Sequence, residues 1–126
     1  MQISFIDHIV IIVKDIKETE KFYSSFLGLP EYQAEETVVY KIGHTKVFFV
    51  LPHGGFEKTN KDKGGLNHIV FGVRTLEELK SFEVLHNKTS IQHSGIKTDK
   101  YGNKEFVWFD DPGDIRVEIY CPPLDE

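Results

Sequence analysis

The chain of 126 residues has a single cysteine, Cys121, so no disulfide can close within it. A bridge-built secreted scaffold is excluded and a reducing compartment is expected. The opening "MQISFIDHIV" lacks the basic segment, long apolar core and small-residue cleavage site of a signal peptide, and no apolar run approaches the ~20 residues that span a bilayer. The expectation is a cytoplasmic protein with no membrane partner. Positive charge is scarce as well: 15 Lys and Arg against 20 Asp and Glu give a net charge of −5, and no basic stretch interleaves with aromatics. Nucleic acid is a poor partner for such a chain. What is present is core material, 40% hydrophobic and 13% aromatic residues within the length of one domain.

The chain repeats itself. "DHIVIIV" at residues 7–13 returns as "NHIVFGV" at 67–73, and residues 3–13 and 66–73 read as strands rich in β-branched side chains. After the first, Asp15 precedes a run in which Ile16, Thr19, Phe22, Tyr23, Phe26 and Leu27 recur at helical spacing, stopping at Gly28 just before Pro30. After the second, Thr75 caps a helix with Leu76, Leu79, Phe82 and Leu85 on one stripe and Glu77 and Glu78 in its first turn. Strands at 37–42 and 46–51, joined by a turn at Gly43 and His44, complete the first half. The second half continues with a short strand near Ile91, a polar loop around 98–104, and strands at 105–109 and 115–120.

Each half reads βαβββ. "GHTKVFFVLP" at 43–52 matches "GDIRVEIYCP" at 113–122 in its glycine, basic residue, valine and closing proline, which sets Phe48 where Glu118 stands. The offset grows from 60 to 70, so the second half holds about ten extra residues, most simply in its polar loop. The expected fold class is α+β: one domain over 1–126 built from two βαβββ modules, 1–52 and 66–122, with a linker at 53–65.

Alternation along a strand places His8 with Ile6, Val10 and Ile12, His68 with Val70 and Gly72, and Glu118 with Arg116 and Tyr120. The opposite faces are wholly apolar and belong under the helices. Two histidines and a carboxylate suit a divalent metal with open positions for water or substrate. The competing reading is that each histidine is a half-buried strand residue satisfied by a backbone carbonyl, and that Arg116 supplies the charge opposite Glu118. His44, His53 and His93 stand in polar stretches and read as solvated.

"DHIVIIVKDIKETEKFYSSFLGL", "NHIVFGV" and "FVWFDDPGDIRVEIY" together resemble the vicinal oxygen chelate superfamily, which includes glyoxalase I, fosfomycin-resistance proteins, extradiol dioxygenases and bleomycin-resistance proteins. The resemblance covers nearly the whole chain. It implies paired βαβββ modules whose mixed sheets curl into a cup with outer helices, and one divalent metal ion (Zn, Fe, Ni or Mn) held by His8, His68 and Glu118. It further implies that Phe106 and Trp108 face the cup and, with Phe48, line an aromatic pocket; ordinary core is the alternative for these three. Arg116 and Tyr120 can hold an anionic or hydroxyl-bearing substrate there, Tyr120 being otherwise a rim aromatic.

The sequence departs from the glyoxalase I pattern at Phe48, where those enzymes carry a fourth ligand that also moves the substrate proton; phenylalanine can do neither. Val10 stands where fosfomycin-resistance enzymes carry a threonine, and the chain is short for a ring-cleaving dioxygenase. The expected function is a metal-dependent enzyme acting by Lewis-acid catalysis on a small oxygenated substrate, of lyase, isomerase, thiol-transfer or dioxygenase type. A non-catalytic binding protein of the bleomycin-resistance type is the alternative. A homodimer is expected, with modules paired within a chain or swapped between chains.

Overall fold

The computed structural model describes residues 1–58, 60–101 and 103–121, and the chain divides into two compact units, Met1–Glu57 and a second from Lys58 onward. Pro122, the expected close of the second module, lies outside the described residues. No helix among the described residues is long and apolar enough to cross a membrane.

The first unit runs β1 (His8–Ile12), α1 (Ile16–Leu27), β2 (Tyr32–Gln33), β3 (Thr37–Ile42) and β4 (Thr45–Val50). Its strands lie in the order β1-β4-β3-β2, with β1 parallel to β4 and the other pairs antiparallel. A parallel pair needs a crossover, which α1 supplies. The helix starts where the Asp15 carboxylate accepts the Glu18 N–H at 3.0 Å, and ends at Gly28, whose φ of +83° suits a residue without Cβ. Its apolar stripe covers the sheet face carrying Ile11, Val38, Tyr40, Val47 and Phe49, all buried. Tyr23 is fully buried with its ring centroid 4.4 Å from that of Phe49. Removing such rings from water stabilises the unit by about 1.5–3 kcal/mol each. The Tyr40 hydroxyl in this layer is satisfied: it donates to the Glu20 carbonyl at 3.2 Å and accepts from Ser24 at 2.7 Å.

The second unit repeats the plan with β5 (His68–Gly72), α2 (Leu76–Lys88), β6 (Lys97–Asp99), β7 (Lys104–Asp110) and β8 (Arg116–Cys121), in the order β5-β8-β7-β6. Two four-stranded mixed sheets, each with one helix on one face, make the fold α+β as expected. Thr75 caps α2 by accepting the Glu78 N–H at 3.1 Å, and Leu79, Val107, Phe109, Val117 and Ile119 form the core beneath.

Strand pairing fixes how the halves correspond. His8 pairs with Lys46 and Val10 with Phe48; His68 pairs with Arg116 and Val70 with Glu118. Phe48 and Glu118 therefore occupy the same place in their sheets. On the neighbouring strands Val39 faces Phe48 and Trp108 faces Glu118. The offset is thus 60 residues at the first strands, 69 at Val39 and Trp108, and 70 at Phe48 and Glu118. Nine of the extra residues lie between α2 and β7, and one lies in the turn after β7. That turn is organised by Asp111, whose Oδ1 accepts from Gly113 and Ile115 N–H groups at 2.8 and 2.9 Å.

Three expectations are corrected. No strand forms at Ile91, because the chain there is still leaving α2: the Ile91 N–H bonds the His86 carbonyl at 3.0 Å and Ser90 turns with φ of +59°. The edge strand is instead β6, whose Thr98 and Asp99 fall in the stretch expected to be loop, and His93 makes an isolated bridge to Phe109. Pairing in the first strand also begins at His8, leaving Ile3, Phe5 and Ile6 exposed.

Candidate metal centre

The helix-free face of the second sheet gathers six of the residues singled out from sequence: His68, Phe106, Trp108, Arg116, Glu118 and Tyr120. They lie on one side because each is separated from the next along its strand by two residues, or faces it across a rung. The Glu118 side chain is only 13% exposed, and its Oε1 stands 3.7 Å from His68 Nε2. Arg116 does not neutralise it. The guanidinium of Arg116 donates to Asp110 Oδ1 at 2.7 Å and lies 3.8 Å above the Trp108 ring, a cation–π contact that holds it away from the carboxylate. Phe106 stacks on Tyr120, the ring centroids 4.8 Å apart at an interplanar angle of 9°. Burial, then the charges of Glu118 and Asp99 and a hydrogen bond with Glu118, push the Tyr120 hydroxyl above the usual phenol range. Tyr120 therefore stays a neutral donor beside the carboxylate.

The corresponding face of the first sheet carries His8, Val10 and Ile12 on β1 and Lys46, Phe48 and Val50 on β4. The Phe48 ring meets His8 edge-on at 5.4 Å between centroids, so an aromatic hydrocarbon occupies the place against His8 that Glu118 occupies against His68. Lys46 pairs with Glu31 at 2.8 Å, and that bond holds the ammonium above its ordinary pKa range.

The second unit also holds three residues outside the candidates expected from sequence, Asp99, Tyr101 and Lys104. Val70, Asp99, Tyr101, Lys104 and Tyr120 line an open pocket of about 460 Å³, adjoining Glu118 through Tyr120. Asp99, Tyr101 and Lys104 all fall in the stretch expected to be a polar loop; Asp99 and Lys104 pair across β6 and β7 through backbone bonds that leave no apolar signature, and Tyr101 stands in the turn between the two strands. Asp7 and Asn67 were the other omission. Each precedes a strand histidine and bonds its Nδ1, Asp7 Oδ2 at 2.8 Å and Asn67 Oδ1 at 2.6 Å, and the signal was legible as the paired "DH" and "NH" of the two copies.

Among the described residues no group of three or more His, Cys, Asp or Glu side chains is placed to hold a metal ion. The pair His68 and Glu118 nevertheless fits part of one. Two donors about 2.1 Å from a tetrahedral ion stand about 3.4 Å apart, close to the observed 3.7 Å.

The sequence model of the Glyoxalase/Bleomycin resistance protein/Dioxygenase superfamily matches residues 5–119. The chain belongs to this superfamily. Among its relatives is the uncharacterized protein YwkD of Bacillus subtilis (strain 168), 31% identical over 95% of this chain and 98% of that protein. A candidate glyoxalase from Bacillus halodurans superposes with a TM-score of 0.81 at 23% identity, covering 93% of this chain and 95% of its own. FosX, a genomically encoded fosfomycin resistance protein of Listeria monocytogenes, superposes with a TM-score of 0.75 at 20% identity, covering 98% of both chains. At these identities the two structures establish the superfamily fold for this chain.

Proposed function

We propose that the protein is a metal-dependent enzyme of the glyoxalase superfamily acting on a small oxygenated substrate, with His8, His68 and Glu118 as ligands of one divalent ion. The observation that carries this reading is Glu118: a carboxylate 13% exposed, 3.7 Å from an imidazole nitrogen, with the nearest arginine committed to Asp110. Such a group is costly to enclose without a cation. His8 stands on the first module and the other two on the second, so the reading requires the helix-free faces of a first and a second module to meet, in one chain or across a homodimer. A bound divalent ion would supply Lewis acidity toward a substrate carbonyl or hydroxyl; zinc, iron, nickel and manganese all accept this ligand set.

The protein's own residues then have separable tasks. Tyr120 donates a hydrogen bond beside Glu118, Lys104 brings a cation to the adjoining pocket for an anionic substrate group, and Phe106 and Trp108 supply an apolar wall. Phe48 offers no proton acceptor, which argues against the proton-shuttling isomerisation of glyoxalase I and toward addition or thiol-transfer chemistry. The test is metal content of protein purified without chelator. One ion per chain is expected in the wild type, with loss of at least about 100-fold in affinity in Glu118→Ala, since one of three ligands is removed. Stoichiometric metal that is unchanged in Glu118→Ala would reject the assignment.

A further inference from the structure

Both strand histidines are held by the side chain of the residue before them, and the hydrogen-bond chemistry decides which ring nitrogen carries the proton. Asn67 donates its amide N–H to the Lys61 carbonyl at 2.7 Å, an oxygen that can only accept. This fixes the amide orientation, so Oδ1 is the atom facing His68 Nδ1 at 2.6 Å, and it too can only accept. His68 must therefore carry its proton on Nδ1. The Asp7 carboxylate imposes the same arrangement on His8 across 2.8 Å. In each case Nε2 is left with an unshared pair, and on His68 that atom is the one facing Glu118.

We propose that Asp7 and Asn67 are positioning residues that lock His8 and His68 in the Nδ1–H tautomer and so present both Nε2 atoms to a metal. The inference rests on the metal reading above and extends it to residues outside the ligand set. Orienting groups of this kind fix ring rotation and tautomer, and removing one weakens metal binding by about 10–100-fold. The two locks differ in charge: Asp7 is a carboxylate and Asn67 a neutral amide, the latter anchored to the loop through Lys61.

Long-range nitrogen–proton correlation NMR on the metal-free protein, at a pH where imidazoles are neutral, reads the tautomer directly. Both histidines are expected as Nδ1–H in the wild type. Asn67→Leu should move His68 toward Nε2–H and weaken Zn²⁺ binding, measured by calorimetry, by 10–100-fold, whereas Asn67→Asp, which keeps an acceptor, should retain both properties. Asp7→Leu and Asp7→Asn form the matching pair for His8. Wild-type His68 found as Nε2–H overturns the proposal, and needs no variant to fold. Unchanged Zn²⁺ affinity in both leucine variants overturns it as well. Nδ1–H tautomers in a wild type that takes up no Zn²⁺, Ni²⁺, Mn²⁺ or Fe²⁺ would instead reject the metal reading itself, so the two failures are distinguishable.

Discussion

The two modules share a register and differ in what they do with it. At the rung two residues beyond each strand histidine, the first module places Phe48 and the second Glu118. Beneath the helix the contrast runs the same way: Tyr40 and Phe109 occupy equivalent rungs, facing Val47 and Val117. Tyr40 is closed by hydrogen bonds to Glu20 and Ser24, while Phe109 meets the ring of His86 at 4.2 Å, a fully buried histidine with neither ring nitrogen bonded among the described residues. Duplication supplied one scaffold twice, and the chemistry was then divided unequally. The first module has a satisfied polar layer and one candidate ligand; the second has an orphaned imidazole and two.

The largest test of that contrast concerns His86. Burial, and secondarily the neighbouring His93, lowers its pKa from 6.5 to about 4. Between those values the unfolded chain binds a proton that the folded chain refuses. Its stability contribution is therefore fully present above pH 6.5 and is lost as pH falls toward 4, by up to about 3 kcal/mol. By the 60-residue helix offset His86 corresponds to Phe26 of α1, so His86→Phe asks whether the first module's solution works in the second. Urea unfolding from pH 7 to 4 should show a flatter stability curve for His86→Phe than for wild type, and greater stability below pH 6. Parallel curves would mean that His86 is not the source of the acid sensitivity.

A smaller effect is expected from making the first module resemble the second at its open face. Phe48→Glu places a carboxylate at the rung equivalent to Glu118, and metal affinity should rise by at least tenfold, about 1.4 kcal/mol. The wild type should show negligible glyoxalase I turnover with any added divalent metal. Robust turnover by the unmodified protein would show that Phe48 does not stand where that chemistry needs a base.

How far the sequence could be read follows from which signals side chains leave. The repeat, both helix caps and the equivalence of Phe48 with Glu118 were legible because alternation, capping residues and a matched valine each mark a side chain's place. The edge strand at residues 97–99 was not, since Lys97, Thr98 and Asp99 have no apolar alternation and join the sheet through backbone bonds to β7. Burial of His86 was also hidden: at helical spacing Leu79 and His86 share a face, but a histidine near a helix end reads as a favourable last-turn cation. On the open face of the second sheet His68, Arg116, Glu118 and Tyr120 were legible from strand parity, and Phe106 and Trp108 from the family resemblance, whereas the engagement of Arg116 by Asp110 and Trp108 depends on side-chain conformations that parity does not specify.

The smallest expected effect lies at the helix starts, where the modules use different residues for the same bond. Asp15 and Thr75 each accept an N–H three residues on, from Glu18 at 3.0 Å and Glu78 at 3.1 Å. Replacing either with alanine leaves that N–H without its partner, at a cost of about 1 kcal/mol. Asp15 also sets a negative charge at the positive end of α1, so Asp15→Ala should cost a few tenths of a kcal/mol more than Thr75→Ala at low salt, and the excess should shrink in high salt. The caps serve separate units with no shared hydrogen-bond partner, so the double variant should lose the sum of the single losses within about 0.5 kcal/mol. Amide hydrogen exchange localises each loss: protection should fall in α1 for Asp15→Ala and in α2 for Thr75→Ala. Equal loss of protection across both helices from either substitution would mean that the two modules open as a single unit, and that the contrast between them ends at the level of local chemistry.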